Sequence, residues 1–105
     1  MDSTQLVKKL KENLEKRLPG QIARVVLFGS CARGEQRRDS DIDVLVIHKG
    51  GLTAQLKDAI YDECYEINLQ YEVLIDVSML CEAELTSLRG RQPYVQNALT
   101  EGLAV

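Results

Sequence analysis

The segment spanning residues 27–47, LFGSCARGEQRRDSDIDVLVI, constrains the fold more than any other part of the sequence. It contains an apolar run that ends at Gly29, a polar stretch, and a second apolar run that opens with Asp41 and Asp43. Short β-branched apolar runs bounded by glycine and polar residues are typical of strands. The segment therefore predicts two strands, QIARVVLFG and DVLVI, with two acids at the beginning of the second strand.

Helical periodicity precedes and follows this pair of strands. Leucines recur every four residues from Leu6 to Leu18, and apolar residues keep helical spacing from residue 52 to about residue 67. The segment QYEVLIDVS then alternates as a strand and places Asp76 on its mostly polar face. A helix around residues 82–88 and a last short helix opened by Pro93 complete the prediction. This order predicts an α/β (α+β) fold, with a small mixed β-sheet flanked by helices.

Composition limits the class of protein. With 105 residues, 45% of them hydrophobic, the chain fits one domain covering residues 1–105. No apolar run approaches the roughly 20 residues of a membrane span, and no signal peptide is evident, so we expect a cytoplasmic protein without a membrane partner. The net charge of -3 argues against stable nucleic-acid binding. We expect Cys31, Cys64 and Cys81 to be free thiols, buried or partly buried.

Asp41 and Asp43 carry the chemical signal of the segment. Residues two apart in a strand point to the same side, roughly 6.5 to 7 Å apart along the chain, so their carboxylates can converge on one point. Converging carboxylates repel each other, and a divalent cation between them removes the repulsion. Oxygen ligands with open positions suit Mg²⁺, which takes its remaining ligands from water and substrate phosphates. The pair predicts a metal site.

The turn before the acids predicts a phosphate site. Gly29 allows backbone N–H groups to approach an anion, Ser30 adds a hydroxyl donor, and Arg33 follows one short turn later. A phosphate site at the turn and a metal site at the acids together predict binding of a metal-bound nucleoside triphosphate. Asp76 is the candidate for a third carboxylate on an adjacent strand, where it could bind metal or deprotonate an acceptor hydroxyl.

At these residues the sequence resembles the DNA polymerase β-like nucleotidyltransferase superfamily. Its signature is G-S, about ten residues, D-x-D, and a third acid on a later strand. Gly29, Ser30, Asp41 and Asp43 match the signature, and Asp76 in VLIDVS fits the third position. The surrounding sequence is similar to the minimal nucleotidyltransferases, the short prokaryotic members found beside HEPN-domain toxins, and the similarity covers nearly the whole chain.

The resemblance implies a polymerase β-like fold and transfer of AMP from ATP to a hydroxyl, such as a tyrosine of a partner HEPN toxin, by a type VII-like antitoxin. It also implies that Gly29, Ser30 and Arg33 bind the nucleotide and that the three acids bind Mg²⁺ and act in catalysis. Two alternatives stay open: an antitoxin that neutralises its partner by binding alone, and an enzyme acting on RNA or a small-molecule hydroxyl. The partner's identity, the base specificity and any homo- or hetero-oligomer are also open.

Five further residues have ordinary structural interpretations. We expect Arg37 and Arg38 to be solvated in the loop before the acids, although either could contact phosphate or partner. His48 is expected to be exposed or to cap the second strand. Tyr61 and Tyr65 lie one helical turn apart, and we expect them to pack at the edge of the core.

Overall fold

The structure is a computed structural model that describes residues 2–29, 41–87 and 91–105. Helices and strands alternate along these ranges much as the periodicity predicts. The elements are, in order, α1 (Ser3–Arg17), β1 (Ile22–Phe28), β2 (Ile42–His48), α2 (Ala54–Tyr71), β3 (Ile75–Cys81), a 3₁₀ helix (Glu82–Thr86), α3 (Pro93–Glu101) and β4 (Leu103–Ala104). No helix within the described ranges is long and apolar enough to cross a membrane.

The strands form one mixed sheet in the part of the chain that the structure describes. Its order is β3-β2-β1-β4, with β1 antiparallel to both β2 and β4 and with β2 parallel to β3. Parallel neighbours need a long crossover, and α2 supplies it between β2 and β3. The predicted α+β class with a small mixed sheet flanked by helices is confirmed.

Apolar side chains cover both faces of the sheet. One face packs against α1 and α2 through a cluster that includes Leu10, Val44 and Ile60, all fully buried. The other face packs against α3 through a smaller cluster formed by Val26, Leu45, Ile47, Leu80, Val95 and Ala98. Burial on both faces explains why β1 and β2 read as nearly continuous apolar runs rather than as alternating ones.

Helix ends follow the capping chemistry of the sequence. Asp2 and Gln5 form a capping box at the start of α1, in which Asp2 Oδ1 accepts from Gln5 N at 2.9 Å and Gln5 Oε1 accepts from Asp2 N at 3.1 Å. Thr53 Oγ1 accepts from Leu56 N at 3.1 Å and caps α2. Both helices are thereby fixed at their first turns.

The end of α2 corrects one prediction. The helix continues to Tyr71 and ends at Glu72, whose φ of 53° is left-handed, so the strand starts at Ile75 rather than near Gln70. In the segment QYEVLIDVS, side chains alternate between the two faces of a strand only from Ile75 onward. The first three residues of the segment belong to α2 and its C-cap. The assignment of Asp76 to a strand is unaffected.

The C-terminal region contains two further differences. The predicted helix around residues 82–88 is a short 3₁₀ helix, Glu82–Thr86, and β4 was not predicted. β4 is added to the sheet by pairing with β1, and Val105 N donates to Val25 O at 3.0 Å. A two-residue strand has too little sequence pattern to be seen in advance.

Candidate active site

The sheet brings two of the three predicted acids side by side. Asp43 on β2 pairs in register with Asp76 on the parallel strand β3, and Phe28 on β1 is opposite Asp43 on the other side. Asp43 and Asp76 alternate with residues buried under α1 and α2, so both acids belong to the face that α3 covers further along the strands. Asp41 lies directly before β2 and is exposed. Strand pairing thus places the acids at the beginning of the neighbouring strands β2 and β3.

Gly29, immediately after β1, contacts the same site. Its φ is +76°, a conformation that favours glycine, and a Cβ built on it would collide with Asp43 Oδ2. Only a residue without a side chain lets the backbone turn this close to the carboxylate. The sequence assigned Gly29 to phosphate binding, and the structure adds that Gly29 makes room for Asp43.

Electrostatic repulsion is evident at Asp43. Its pKa is raised above the ordinary value, chiefly because partial burial disfavours the charged carboxylate, and further because Asp76 and Asp41 are negatively charged. A cation beside Asp43 would oppose all three effects. The Asp43 carboxylate is therefore in an electrostatically unfavourable position in the protein alone, as expected for a carboxylate that holds a positive ion.

The donor set can be compared with what Mg²⁺ requires. Within the described ranges no three His, Cys, Asp or Glu residues are grouped closely enough to hold a metal by themselves. Mg²⁺ is usually bound through one or two carboxylates, with water and substrate phosphates as the other ligands. Asp43 with one neighbouring acid satisfies that requirement, so the residues fit a Mg²⁺ ion that is completed by a nucleotide.

Several predicted site residues lie outside the described ranges. Ser30 and Arg33 of the predicted phosphate site belong to this group, as do Arg37 and Arg38, which precede the acids in the sequence. Cys31 lies there too. Their assignments remain predictions from the sequence, and the described part of the site consists of Gly29 and the three acids.

The structure decides one secondary expectation and corrects another. His48 is 1% exposed, so it is not a surface residue, and its Nδ1 lies 2.5 Å from Gly50 O, which agrees with the expected cap at the end of β2. Tyr61 and Tyr65 are 47% and 61% exposed and are not packed into the core edge. The expectation for the cysteines holds at both described positions, since Cys64 is buried and Cys81 partly buried. Burial raises the pKa of the Cys64 thiol to about 12.

A groove of about 560 Å³ lies between α2 and β3 and includes one of the three acids, Asp76, in its lining. Its walls are formed by Tyr61, Asp62, Cys64, Tyr65, Asn68, Ile75, Asp76 and Val77. Asn68 is part of the groove wall, and its Oδ1 accepts from Ile75 N at 2.9 Å, one residue before Asp76. Sequence reasoning missed Asn68. It lies three residues before the last residue of α2 and just beyond the helical periodicity seen in the sequence, so no pattern marked it.

The sheet, the acids in register and the glycine turn together define an enzyme of the nucleotidyltransferase class. Residues 7–103 match the family described as "Nucleotidyltransferase domain". The match covers most of the 105 residues. The chain belongs to this family.

Relatives and solved structures agree with the family. "Putative protein adenylyltransferase MJ0604" of Methanocaldococcus jannaschii is 30% identical over 102 residues, which cover 97% of this chain and 96% of the relative. A solved protein described as a "putative minimal nucleotidyltransferase" superposes with a TM-score of 0.64 at 28% identity, covering 100% of this chain and 97% of its own. The chain is therefore similar to minimal nucleotidyltransferases along its whole length.

A third similarity concerns the fold alone. The structure described as tri-AMPylated Shewanella oneidensis HEPN toxin in complex with MNT antitoxin contains a chain that superposes with a TM-score of 0.56. The identity is 18%, and the superposition covers 97% of this chain and 70% of the other. The fold present in that toxin and antitoxin complex is also the fold of this chain.

Proposed function

We propose that this protein is a Mg²⁺-dependent adenylyltransferase that moves AMP from ATP to a tyrosine hydroxyl of a partner HEPN toxin and so acts as its antitoxin. The observation that carries the proposal is the pairing of Asp43 with Asp76 across parallel strands, with Gly29 turned against Asp43. The adenylyltransferase name of the M. jannaschii relative and the AMPylated toxin in the complex of similar fold support the choice of AMP and of a protein acceptor.

Each residue has a distinct task in the proposed reaction. Gly29, Ser30 and Arg33 bind the triphosphate, because a glycine turn exposes backbone N–H groups and the two side chains add donors. Asp43, with Asp41 and Asp76 as its neighbouring acids, would hold Mg²⁺ together with substrate phosphates and water, and Mg²⁺ when bound neutralises charge on the phosphates. A cation there would also reduce the electrostatic repulsion at Asp43, whose pKa is raised by burial and by its acidic neighbours.

The transfer is a displacement at the α-phosphorus of ATP. The acceptor hydroxyl oxygen forms a bond with that phosphorus while the bond to the bridging oxygen of the pyrophosphate breaks, and pyrophosphate leaves. Asp76 accepts the hydroxyl proton as the new bond forms. Positioning of the two reactants contributes most to such a reaction, because the protein needs to make no covalent bond of its own.

Intact-mass spectrometry tests the proposal directly. The product of the neighbouring gene, as the candidate HEPN-domain protein, is incubated with this protein and Mg-ATP, and the Asp41→Asn/Asp43→Asn double variant is run in parallel. We expect one or more added adenylates with the wild type and none with the variant. Peptide mapping of the modified protein then identifies the acceptor residue, which we expect to be a tyrosine.

The control is the Glu12→Gln variant, which removes one exposed carboxylate on α1 and leaves the three acids in place. It should transfer AMP like the wild type. Full transfer by the double variant would contradict the assignment of the acids. Partner binding without any added mass would instead favour an antitoxin that acts by binding alone.

A further inference from the structure

The groove between α2 and β3 is open on the outer side of the sheet. β3 is the last strand on this side of the described sheet, and the groove is lined by Tyr61 and Tyr65 on α2 and by Asp76 and Val77 on β3. Val77 lies on the sheet face under α2, whereas Asp76 belongs to the opposite face, so the groove meets Asp76 at the edge of the sheet. A chain lying in the groove would pass along the edge strand that carries Asp76.

The aromatic wall of the groove is exposed to an unusual degree. Tyr61 is 47% exposed and Tyr65 is 61% exposed, although both are large side chains on a helix that buries its opposite face. Tyrosine combines a large apolar ring with a polar hydroxyl and is enriched in protein interfaces. These two rings have the character of an interface in a region that the fold itself does not cover.

The charge around the rings is negative. α2 contains four acids and one lysine, and the acids Asp58, Asp62 and Glu66 are exposed at successive turns on the outer face. Arg17 offsets part of this charge through contacts of 3.1 Å with Asp62 and 3.4 Å with Glu63. The remaining exposed acids favour a cationic segment and repel a nucleic acid.

One contact within the protein shows that a cation binds beside these rings. Lys57 Nζ lies 6.0 Å from the centroid of the Tyr61 ring, so this ring already receives a cation from its own helix. An arginine or lysine of a partner could bind to the face of Tyr65 in the same way. Aromatic rings beside carboxylates form the environment in which guanidinium groups bind well.

We propose that this groove is the docking surface for the acceptor protein, and that it binds a segment in which arginine or lysine residues flank the tyrosine to be modified. The inference rests on the proposed function and adds to it the chemistry of the acceptor. The cationic side chains contact Tyr61, Tyr65 and the α2 acids, while the tyrosine hydroxyl reaches over the edge of β3 to Asp76.

Measuring the affinity for a peptide tests the docking surface separately from AMP transfer. The probes are a short fluorescein-labelled peptide with one central tyrosine flanked by arginines and a matched peptide flanked by glutamates, measured by fluorescence anisotropy at low ionic strength. We expect the cationic peptide to bind and the anionic one not to bind. Tyr65→Ala should weaken binding of the cationic peptide about fivefold or more, as truncation of an interface anchor does.

Two further variants sharpen the test. Asp58→Lys/Glu66→Lys reverses the charge around the rings and should abolish the preference for the cationic peptide. Leu69→Ala is the matched control, because Leu69 is 61% exposed on the same helix and lies outside the groove walls. It should bind the cationic peptide like the wild type. Circular dichroism melting curves verify that every variant is folded.

The outcomes separate this proposal from the proposed function. Binding of the cationic peptide that is lost in Tyr65→Ala but kept in Asp43→Asn supports the docking surface, whether or not AMP is transferred. Unchanged transfer of AMP to the HEPN-domain protein by Tyr65→Ala and by the charge reversal would overturn the docking surface and leave the proposed function intact.

Three other results would also overturn the docking surface. They are equal affinity for the two peptides, preferential binding of a single-stranded RNA probe, and a dimer in sedimentation that Tyr65→Ala converts to monomers. Each would assign the exposed tyrosines to another occupant of the groove.

Discussion

Asp43 is in an environment that disfavours its own charge. Its pKa is raised by partial burial and by the negative charges of Asp76 in the next strand and Asp41 two residues earlier. The backbone of Gly29 also lies close to its carboxylate. A residue selected for stability alone would not be an acid here. This environment is consistent with the proposed site, because binding of Mg²⁺ and nucleotide would offset the free-energy cost of the ionised Asp43 carboxylate.

We predict that Asp43→Asn stabilises the protein in the absence of metal. Because the folded-state pKa of Asp43 lies above its ordinary value of 3.8, its ionisation destabilises the folded protein. This loss of stability is absent at pH values below 3.8, where Asp43 is protonated in both the folded and the unfolded protein. It grows as pH rises from 3.8 to the folded-state pKa and is complete above the folded-state pKa. Urea unfolding in EDTA should therefore show a stabilised variant at neutral pH and a difference that vanishes in acid.

Glu12→Gln provides the comparison for this measurement, since it removes a carboxylate from an exposed position of α1 outside the candidate site. It should not reproduce the pH-dependent gain. A destabilised Asp43→Asn at neutral pH would mean that the carboxylate has a favourable structural role in the metal-free protein.

We predict that Gly29→Ala is more damaging than Gly20→Ala. Both glycines have positive φ, +76° and +73°, so each alanine costs roughly 1–2 kcal/mol of backbone strain. Only at Gly29 does the added Cβ collide with Asp43, whereas nothing lies within 4 Å of a Cβ at Gly20. Urea unfolding should show the larger loss for Gly29→Ala, and AMP transfer should fail in that variant alone. Equal effects of both substitutions would remove the special role of Gly29.

Among the elements, β3 depends on the end of α2 for its position. Asn68 O accepts from Val73 N at 3.2 Å, and Asn68 Oδ1 accepts from Ile75 N at 2.9 Å. One residue of the helix thus binds both the connection and the first residue of the strand. Since Asp76 follows directly, Asn68 is a positioning residue for the third acid.

We predict that Asn68→Ala lowers stability by about 1–3 kcal/mol, because it leaves the Ile75 N–H without its acceptor. AMP transfer should fall as well, with a larger effect on kcat than on the KM for ATP, because Asp76 and not the nucleotide loses its support. Asn68→Asp retains an acceptor oxygen and should restore most of both properties. Gln70→Ala, at an exposed position of α2, is the neutral control. Unchanged transfer by Asn68→Ala would exclude a positioning role.

The elements also show how far the sequence could predict the structure. α1, β1 and β2 followed from apolar periodicity, because each has a local pattern long enough to be recognised. The start of β3 was misplaced because the left-handed cap at Glu72 has no strong sequence signal. β4 was missed because it exists only through its pairing with β1.

The same distinction applies to the candidate site. Spacing alone identified Asp41, Asp43 and Asp76 as candidates, but the pairing of Asp43 with Asp76 depends on which strands are neighbours and in which direction they run. That is a tertiary property. The exposure of Tyr61 and the contact between Gly29 and Asp43 likewise depend on how separate elements pack.

For the whole molecule, the sheet is supported by packing on both faces while the acids lie at the ends of its strands. The buried clusters under α1 and α2 and under α3 stabilise β2 from both sides, and β2 carries Asp43 at its second position. Rigid support of this kind allows an electrostatically unfavourable group to persist in a small protein.

The last prediction concerns coupling between nucleotide binding and the stability of the whole protein. A ligand that binds only the folded state at 100 times its Kd stabilises that state by about 2.7 kcal/mol. For a chain of this size, such a gain raises Tm on the order of 10 °C. Differential scanning fluorimetry with Mg-ATP should show this rise for the wild type and for Tyr65→Ala, but not for Asp41→Asn/Asp43→Asn. EDTA should remove most of it. A rise of equal size in the double variant would mean that the nucleotide binds without the acids, and the proposed Mg²⁺ site would then be wrong.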